Sequence, residues 1–293
     1  MAVAALATED RPHLGIMMML VAWAMFSLVD TSAKWLALAG VPALQLAFMR
    51  YAGHFVISLG MIAKGGITTD RFKTTHVWQV VSRALLLITA TLSNFIALYY
   101  LPLTVTSAIL FSSPVIVCFL SYFLLHERIG PWRWFAIVAG FAGVLIVIRP
   151  FGVAFHVAML LMVYNAVSLA LYSIMTRKLA GIVATETLQF YMGAIGTAVM
   201  APFAFWVWET PATLLEWMLL VGLGVIGWGG HQLLTNAHRF GSANTLMPYT
   251  YSFMIYVTIL SYVIFDHVPD VWTLAGAAVI IGSGLIIWKR EQR

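Results

Sequence analysis

Ten apolar segments follow one another along this chain with short polar corners between them, and this removes most of the folds open to 293 residues. They run over residues 14–35, 42–62, 77–99, 103–125, 132–148, 155–176, 183–207, 214–236, 243–265 and 271–288. About 20 apolar residues wound as a helix cross the ~30 Å hydrocarbon layer. Inside lipid a segment must satisfy its own backbone hydrogen bonds, which leaves helices or a closed barrel. The runs are continuous rather than alternating, so barrel strands do not fit. Nor does a water-soluble fold. Charged residues make up 9% of the chain and hydrophobic ones 62%, where a soluble domain carries roughly 25% charged residues.

The fourth and ninth segments hold more polar residues than the others. Their length and their place between polar corners mark them as spans. The first segment is read as retained rather than cleaved. Its leader, MAVAALATED, carries Glu9 and Asp10 instead of a basic cluster, and Asp30 and Lys34 interrupt the apolar run ahead of the small residues Ala37-Leu38-Ala39.

The net charge is +5, but the basic residues are scattered singly between apolar segments, which argues against a nucleic-acid partner. With the N-terminus inside, the inner side carries Arg11, Lys64, Arg71, Lys73, Arg128, Arg133, Arg177, Lys178, Arg239, Lys289, Arg290 and Arg293. Arg83, near the inner end of the third span, is read as snorkelling there. The outer side carries Lys34 and Arg149, together with Glu209, Glu216, Asp266 and Asp270. Such asymmetry predicts both termini on the cytoplasmic side of a multi-pass membrane protein. The lone cysteine, Cys118, cannot form an intrachain disulfide and reads as a small apolar filler. No HExxH, CxxC or GxxxxGK[ST] pattern occurs, and neither a cofactor, a metal nor an enzymatic activity is expected. The lipid bilayer and a small-molecule substrate are the expected partners, and a monomer is the expected state.

The chain also repeats itself. LLHERIGPWRWFAIVAGFAGVLIVIRP, residues 124–150, has nearly the layout of VIFDHVPDVWTLAGAAVIIGSGLIIWK, residues 263–289. A shift of 139 positions places Glu127 on Asp266 and Gly143 on Gly282. Each copy holds five spans, residues 14–148 and 155–288. An odd number forces the second copy to enter the membrane from the opposite side, which is an inverted repeat. The predicted class is therefore all-α, with ten transmembrane helices as two inverted five-helix repeats. Two copies that exchange slightly different conformations produce alternating access, the mechanism of a secondary transporter.

Polar groups within spans should face the protein interior or a water-filled cavity. Near the midplane stand Trp23, Ser27, Asn94, Ser112, Tyr164, Asn165, Trp228, His231, Tyr249 and Tyr256. Rings beside neutral donors and acceptors suit an amphipathic organic solute, and these ten are the candidate cavity lining. Helix packing is the plainer role for any one of them. Ion pores need rings of carbonyls or charges, which this set lacks. His231 is the member that could titrate, though no convincing coupling site stands out. Asp30 and Lys34 are four apart and are expected to pair. An Asp30–Arg50 contact across the first two spans is expected, as glue or gate, and Glu127 at the inner corner is expected to be structural. Pro114 in the fourth span and Pro248 early in the ninth are expected to bend them.

The five-span halves, the inside termini and the LLHERIGPWRWFAIVAGFAGVLIVIRP corner resemble the drug/metabolite transporter superfamily, in its EamA-type branch. The likeness covers residues 14–288. Glu127 of HERIG matches the acidic–basic corner commonly seen there after the fourth span, whereas FDHVPD in the second half has Asp266 and no following basic residue. Within the branch the chain is most similar to bacterial exporters of aromatic amino acids. The resemblance implies export of aromatic or other neutral amino acids through a central cavity in a bacterial inner membrane, with no cofactor. A broader metabolite or cationic-drug exporter is the alternative, and a non-transporting membrane protein the other class. A cation pump is expected to bury an acid in its path; the second half's spans hold only Glu186, close to the inner end.

Overall fold

The computed structural model of the chain describes residues 11–64, 73–124, 130–150, 152, 154–179, 182–241 and 246–291. Among these, ten helical spans are long and apolar enough to cross a membrane. The elements are α1 (Pro12–Leu38), α2 (Ala43–Lys64), α3 (Val77–Tyr100), α4 (Leu103–Leu110), α5 (Ser113–Leu124), α6 (Pro131–Ile148), α7 (Ala158–Leu179), α8 (Thr185–Trp206) and α9 (Leu214–Phe240). A 3₁₀ turn (Met247–Tyr251), α10 (Ser252–Phe265) and α11 (Val271–Glu291) complete the chain. The fourth span is α4 with α5, and the ninth is the 3₁₀ turn with α10.

Both irregular spans are marked by proline. Pro114 has no N–H to return to the Leu110 carbonyl, and its ring crowds that carbonyl, so the fourth span breaks at Phe111 and Ser112. It resumes where the Ile116 N–H donates to the Ser112 carbonyl (2.9 Å). In the ninth span Pro248 lies in the first turn of the 3₁₀ stretch.

The packing pattern carries the symmetry. α1 lies along α9, α3 along α7, α2 along α8 and α6 along α11. Numbered as spans, these pairs are 1·8, 3·6, 2·7 and 5·10. Advancing every span by five exchanges the first two pairs and returns the last two to themselves. Lesser contacts obey the same operation: spans 2·8 correspond to 3·7, and 1·9 to 4·6. The fold is two inverted five-helix repeats about a pseudo-two-fold axis. Backbones come close where spans 2 and 8 cross: a Cβ at Gly53 would stand 2.8 Å from the Gly224 Cα, so neither position has room for a side chain.

Candidate functional site

A cavity of about 750 Å³ lies between the halves, within the range of small-molecule sites. Its lining is one-sided. α1 contributes Met19 to Asp30 but nothing beyond, α3 contributes Arg83 to Asn94 but nothing beyond, and α9 and α11 contribute residues from their last turns. The cavity therefore reaches Arg133, His238 and Trp288, at the face to which an even number of spans returns both chain ends.

One wall is polar and is built on α3, whose residues 83, 87, 91 and 94 recur at helical spacing along one face. Arg83 is 3% exposed. Its Nε donates to Thr176 Oγ1 (2.7 Å) and its Nη2 to the Tyr172 hydroxyl (2.6 Å), while the guanidinium lies 4.4 Å from the Tyr172 ring centroid. One level further in, Arg50 Nη1 donates to Thr91 Oγ1 (3.1 Å). Last, Asn94 Nδ2 donates to Asp30 Oδ1 (3.0 Å). Among the described residues Asp30 is the sole carboxylate in the lining, against Arg50, Arg83 and Arg133.

The other wall is aromatic. Trp23 meets Phe26 (5.5 Å between centroids) and Phe253 (5.6 Å), and Phe253 meets Phe111 at the break of the fourth span (5.9 Å), with planes near perpendicular. The His231 ring packs on Phe26 (4.9 Å), and His231 Nε2 is buried without a hydrogen-bond partner.

The opposite end is closed by links between spans. Lys34 Nζ donates to the carbonyls of Leu98 (2.5 Å) and Leu101 (3.1 Å) at the C-terminus of α3, where the helix dipole favours a cation. The Tyr99 hydroxyl donates to the Val41 carbonyl. Gln45 binds the Glu209 backbone twice, and Arg149 pairs with Asp270 (2.6 Å). Tyr100 stacks on His156 (5.1 Å).

Of the ten candidate lining residues, Trp23, Asn94, Asn165 and His231 are on the cavity wall, as are Asp30 and Arg50. The other six are not. Ser27 and Ser112 are buried and donate to carbonyls of their own turns, Ala24 and Ile109 (2.7 Å each). Tyr164 is 47% exposed on the outer face and donates to Thr89 Oγ1 (2.9 Å). Successive helical residues point about 100° apart, so Asn165 takes the inner position that Tyr164 cannot. Trp228 is half-buried off the wall; Gly227 faces Arg50 and Gly230 faces Phe26. Tyr249 and Tyr256 likewise leave the wall to Thr250 and Phe253. Glu127 lies outside the described residues.

Three expectations about charge change. Lys34 does not pair with Asp30, because it caps α3 instead. Asp30 and Arg50 share the cavity without forming an ion pair, each held by a neutral partner on α3. Arg83 does not snorkel but is buried in the polar wall. The stripe of Arg83, Thr91 and Asn94 at one helical face was the signal in the sequence that marked this wall.

A profile of the EamA-like transporter family matches residues 13–149 and again residues 156–289. The chain belongs to the EamA-like transporter family. Like other EamA-like proteins, it is a transporter of small metabolites and not an enzyme. It is 31% identical to an S-adenosylmethionine uptake transporter of Rickettsia bellii over 93% of this chain and 94% of that one. It is 27% identical to a riboflavin transporter of Vibrio cholerae (97% and 96% covered) and 26% identical to the pseudopaline exporter CntI of Pseudomonas aeruginosa (95% and 97%). A solved crystal structure shares the fold at a TM-score of 0.63 and 20% identity, covering 96% of this chain and 98% of that one. The cargoes named for these three relatives differ from one another, so membership of the family as a whole is shown and the narrower likeness to exporters of aromatic amino acids is not.

Proposed function

We propose that this chain moves a small metabolite bearing a flat ring by alternating access between its halves, 14–148 and 155–288. The observation that carries this is one cavity in which an aromatic wall, Trp23, Phe26, Phe111 and Phe253, adjoins a polar wall, Asp30, Arg50 and Arg83. Rings cover the apolar body of a solute while the polar wall meets its hydrophilic end. S-adenosylmethionine and riboflavin, from the relatives' names, and the aromatic amino acids expected from the sequence all carry such a ring. The positive-inside asymmetry supports cytoplasmic termini in a bacterial inner membrane. In that orientation the cavity opens to the cytoplasm and the linked end faces outward.

Purified protein in liposomes, tested with labelled S-adenosylmethionine, riboflavin, tryptophan and threonine, examines this reading. Saturable flux of at least one ring-bearing solute, well above that of threonine, is expected. Flux of none of them, or of threonine as readily as the others, overturns it. Running the flux in both directions decides between uptake and export.

A further inference from the structure

Two opposite charges at the blind end of the cavity, Asp30 and Arg50, are held by α3 residues about one helical turn apart, and no ion pair joins them. Thr91 and Asn94 are three residues apart on α3, about 4.5 Å of rise. Thr91 accepts from Arg50 Nη1 (3.1 Å), and Asn94 donates to Asp30 Oδ1 (3.0 Å). Arg50 is further held over the Phe95 ring (5.9 Å to the centroid). Each charge is thus kept in place by a neutral neighbour, and no ion pair joins the two.

A third group needs a partner there. Asn94 Oδ1 is buried and accepts no hydrogen bond. Its amide is oriented by the bond that Nδ2 gives to Asp30, so the orphan acceptor lies beside the carboxylate. A buried acceptor beside a carboxylate calls for a donor with several hydrogens. A guanidinium with one nitrogen on Thr91 and no carboxylate partner calls for an anion, which Arg receives in a fork. Charges at membrane depth that remain without ionic partners are costly and mark substrate paths.

We propose that this end of the cavity receives the zwitterionic head of an α-amino acid, with its ammonium on Asp30 and Asn94 Oδ1 and its carboxylate on Arg50. Ammonium and carboxylate sit on one carbon in such a molecule, which suits opposite charges held from neighbouring turns of one helix. The rest of the solute then has one direction to go. Phe26 precedes Asp30 by four residues on α1 and shares its face, and Trp23 lies another turn toward the open end. A ring on the side chain falls on the aromatic wall. The assignment rests on the transport reading above and adds the head group to it. S-adenosylmethionine and tryptophan both carry that head; riboflavin does not.

Flux of labelled tryptophan and labelled S-adenosylmethionine into liposomes holding the intact protein tests the assignment. Each is competed by unlabelled tryptophan, tryptophan methyl ester, which lacks the carboxylate, and N-acetyltryptophan, which lacks the ammonium. At least one labelled solute is expected to move, with both derivatives competing at least tenfold less well than tryptophan. In Asp30→Asn the penalty on N-acetyltryptophan is expected to shrink while that on the ester remains; in Arg50→Gln the reverse holds. A structural role would weaken all competitors together, and that result overturns the assignment. If the variants do not fold, the competition on the unaltered protein decides alone: equal competition by the three compounds overturns the head-group site. Flux of riboflavin without either amino-acid-headed solute also overturns it and leaves the transport reading standing. Flux of no solute overturns both.

Discussion

The Gln45 side-chain amide donates to the Glu209 carbonyl (2.8 Å) and accepts the Glu209 backbone N–H (2.9 Å). This pair of hydrogen bonds between the start of α2 and the segment after α8 joins the two halves at the closed end. α2 and α8 are one of the two pairs that the pseudo-two-fold returns to themselves, and opening that end is expected to part them there. Gln45→Ala removes both bonds, worth about 1–3 kcal/mol together, and is expected to shift the population roughly ten-fold toward the state open at that end. Maleimide labelling of a cysteine placed at Val41, in a Cys118→Ser background, reads the shift. Unchanged labelling would mean that the link does not hold the end shut.

Asp270 contributes differently. It caps α11 by accepting the Thr273 N–H (2.8 Å) and pairs with Arg149. Burial works against its charge, but the Thr273 hydrogen bonds and then Arg149 prevail, so its carboxyl titrates below the ordinary range. A depressed carboxylate stabilises the fold at pH values above its unfolded pKa and loses that contribution as pH falls through the folded one. Both partners of the ion pair are partly exposed, which limits it to under about 1 kcal/mol, while an N-cap is worth about 1 kcal/mol. Asp270→Ala should therefore lower the melting temperature more than Asp270→Asn, which retains a capping oxygen. Under acid conditions, below the carboxylate range, the unaltered protein should converge on Asp270→Asn, while Asp270→Ala stays lower for want of a capping oxygen. Equal loss in the two variants would assign the effect to the ion pair.

Glycines here are not equivalent. A Cβ at Gly224 would stand 2.7 Å from the Gly53 Cα, with backbone on both sides. Nothing lies within 4 Å of a Cβ at Gly282. Gly224→Ala is expected to cost about 1–3 kcal/mol through forced separation of the spans, and Gly282→Ala to leave melting temperature and yield unchanged. Similar losses would remove the close-packed crossing from the account.

Rings separate wall from surface. Trp23→Ala is expected to raise the half-saturating concentration for a ring-bearing solute about ten-fold or more, since contacts of this size discriminate by ~1–3 kcal/mol. Tyr164→Phe deletes one exposed hydroxyl and should leave flux kinetics within two-fold. The reverse order would place the substrate path along the outer face of α7.

The spans were legible because lipid imposes a length and a composition that any window of the sequence displays. Pro114 likewise announces its break, since a missing N–H acts locally. The cavity was legible only in part, because composition does not say which way a helix is turned. Tyr164 and Asn165 are neighbours in sequence, yet one faces outward and the other inward. Ser27 and Ser112 satisfy themselves on their own turns, which no pattern of polar residues reveals. Arg83 was placed by its distance from a helix end, whereas its partners Tyr172 and Thr176 come from α7, a span far away in sequence. Charged partners chosen by spacing failed for the same reason: Lys34 found carbonyls at the end of α3 rather than the carboxylate four residues before it.

Alternating access requires the closed end to open in every cycle. The most direct measurement places cysteines at Gln45 and Glu209 in a Cys118→Ser background and follows flux in liposomes before and after bridging them with a reducible bifunctional maleimide. Flux of the ring-bearing solute before bridging, its loss on bridging and its return on reduction are the predicted results. Undiminished flux through the bridged protein would contradict the account.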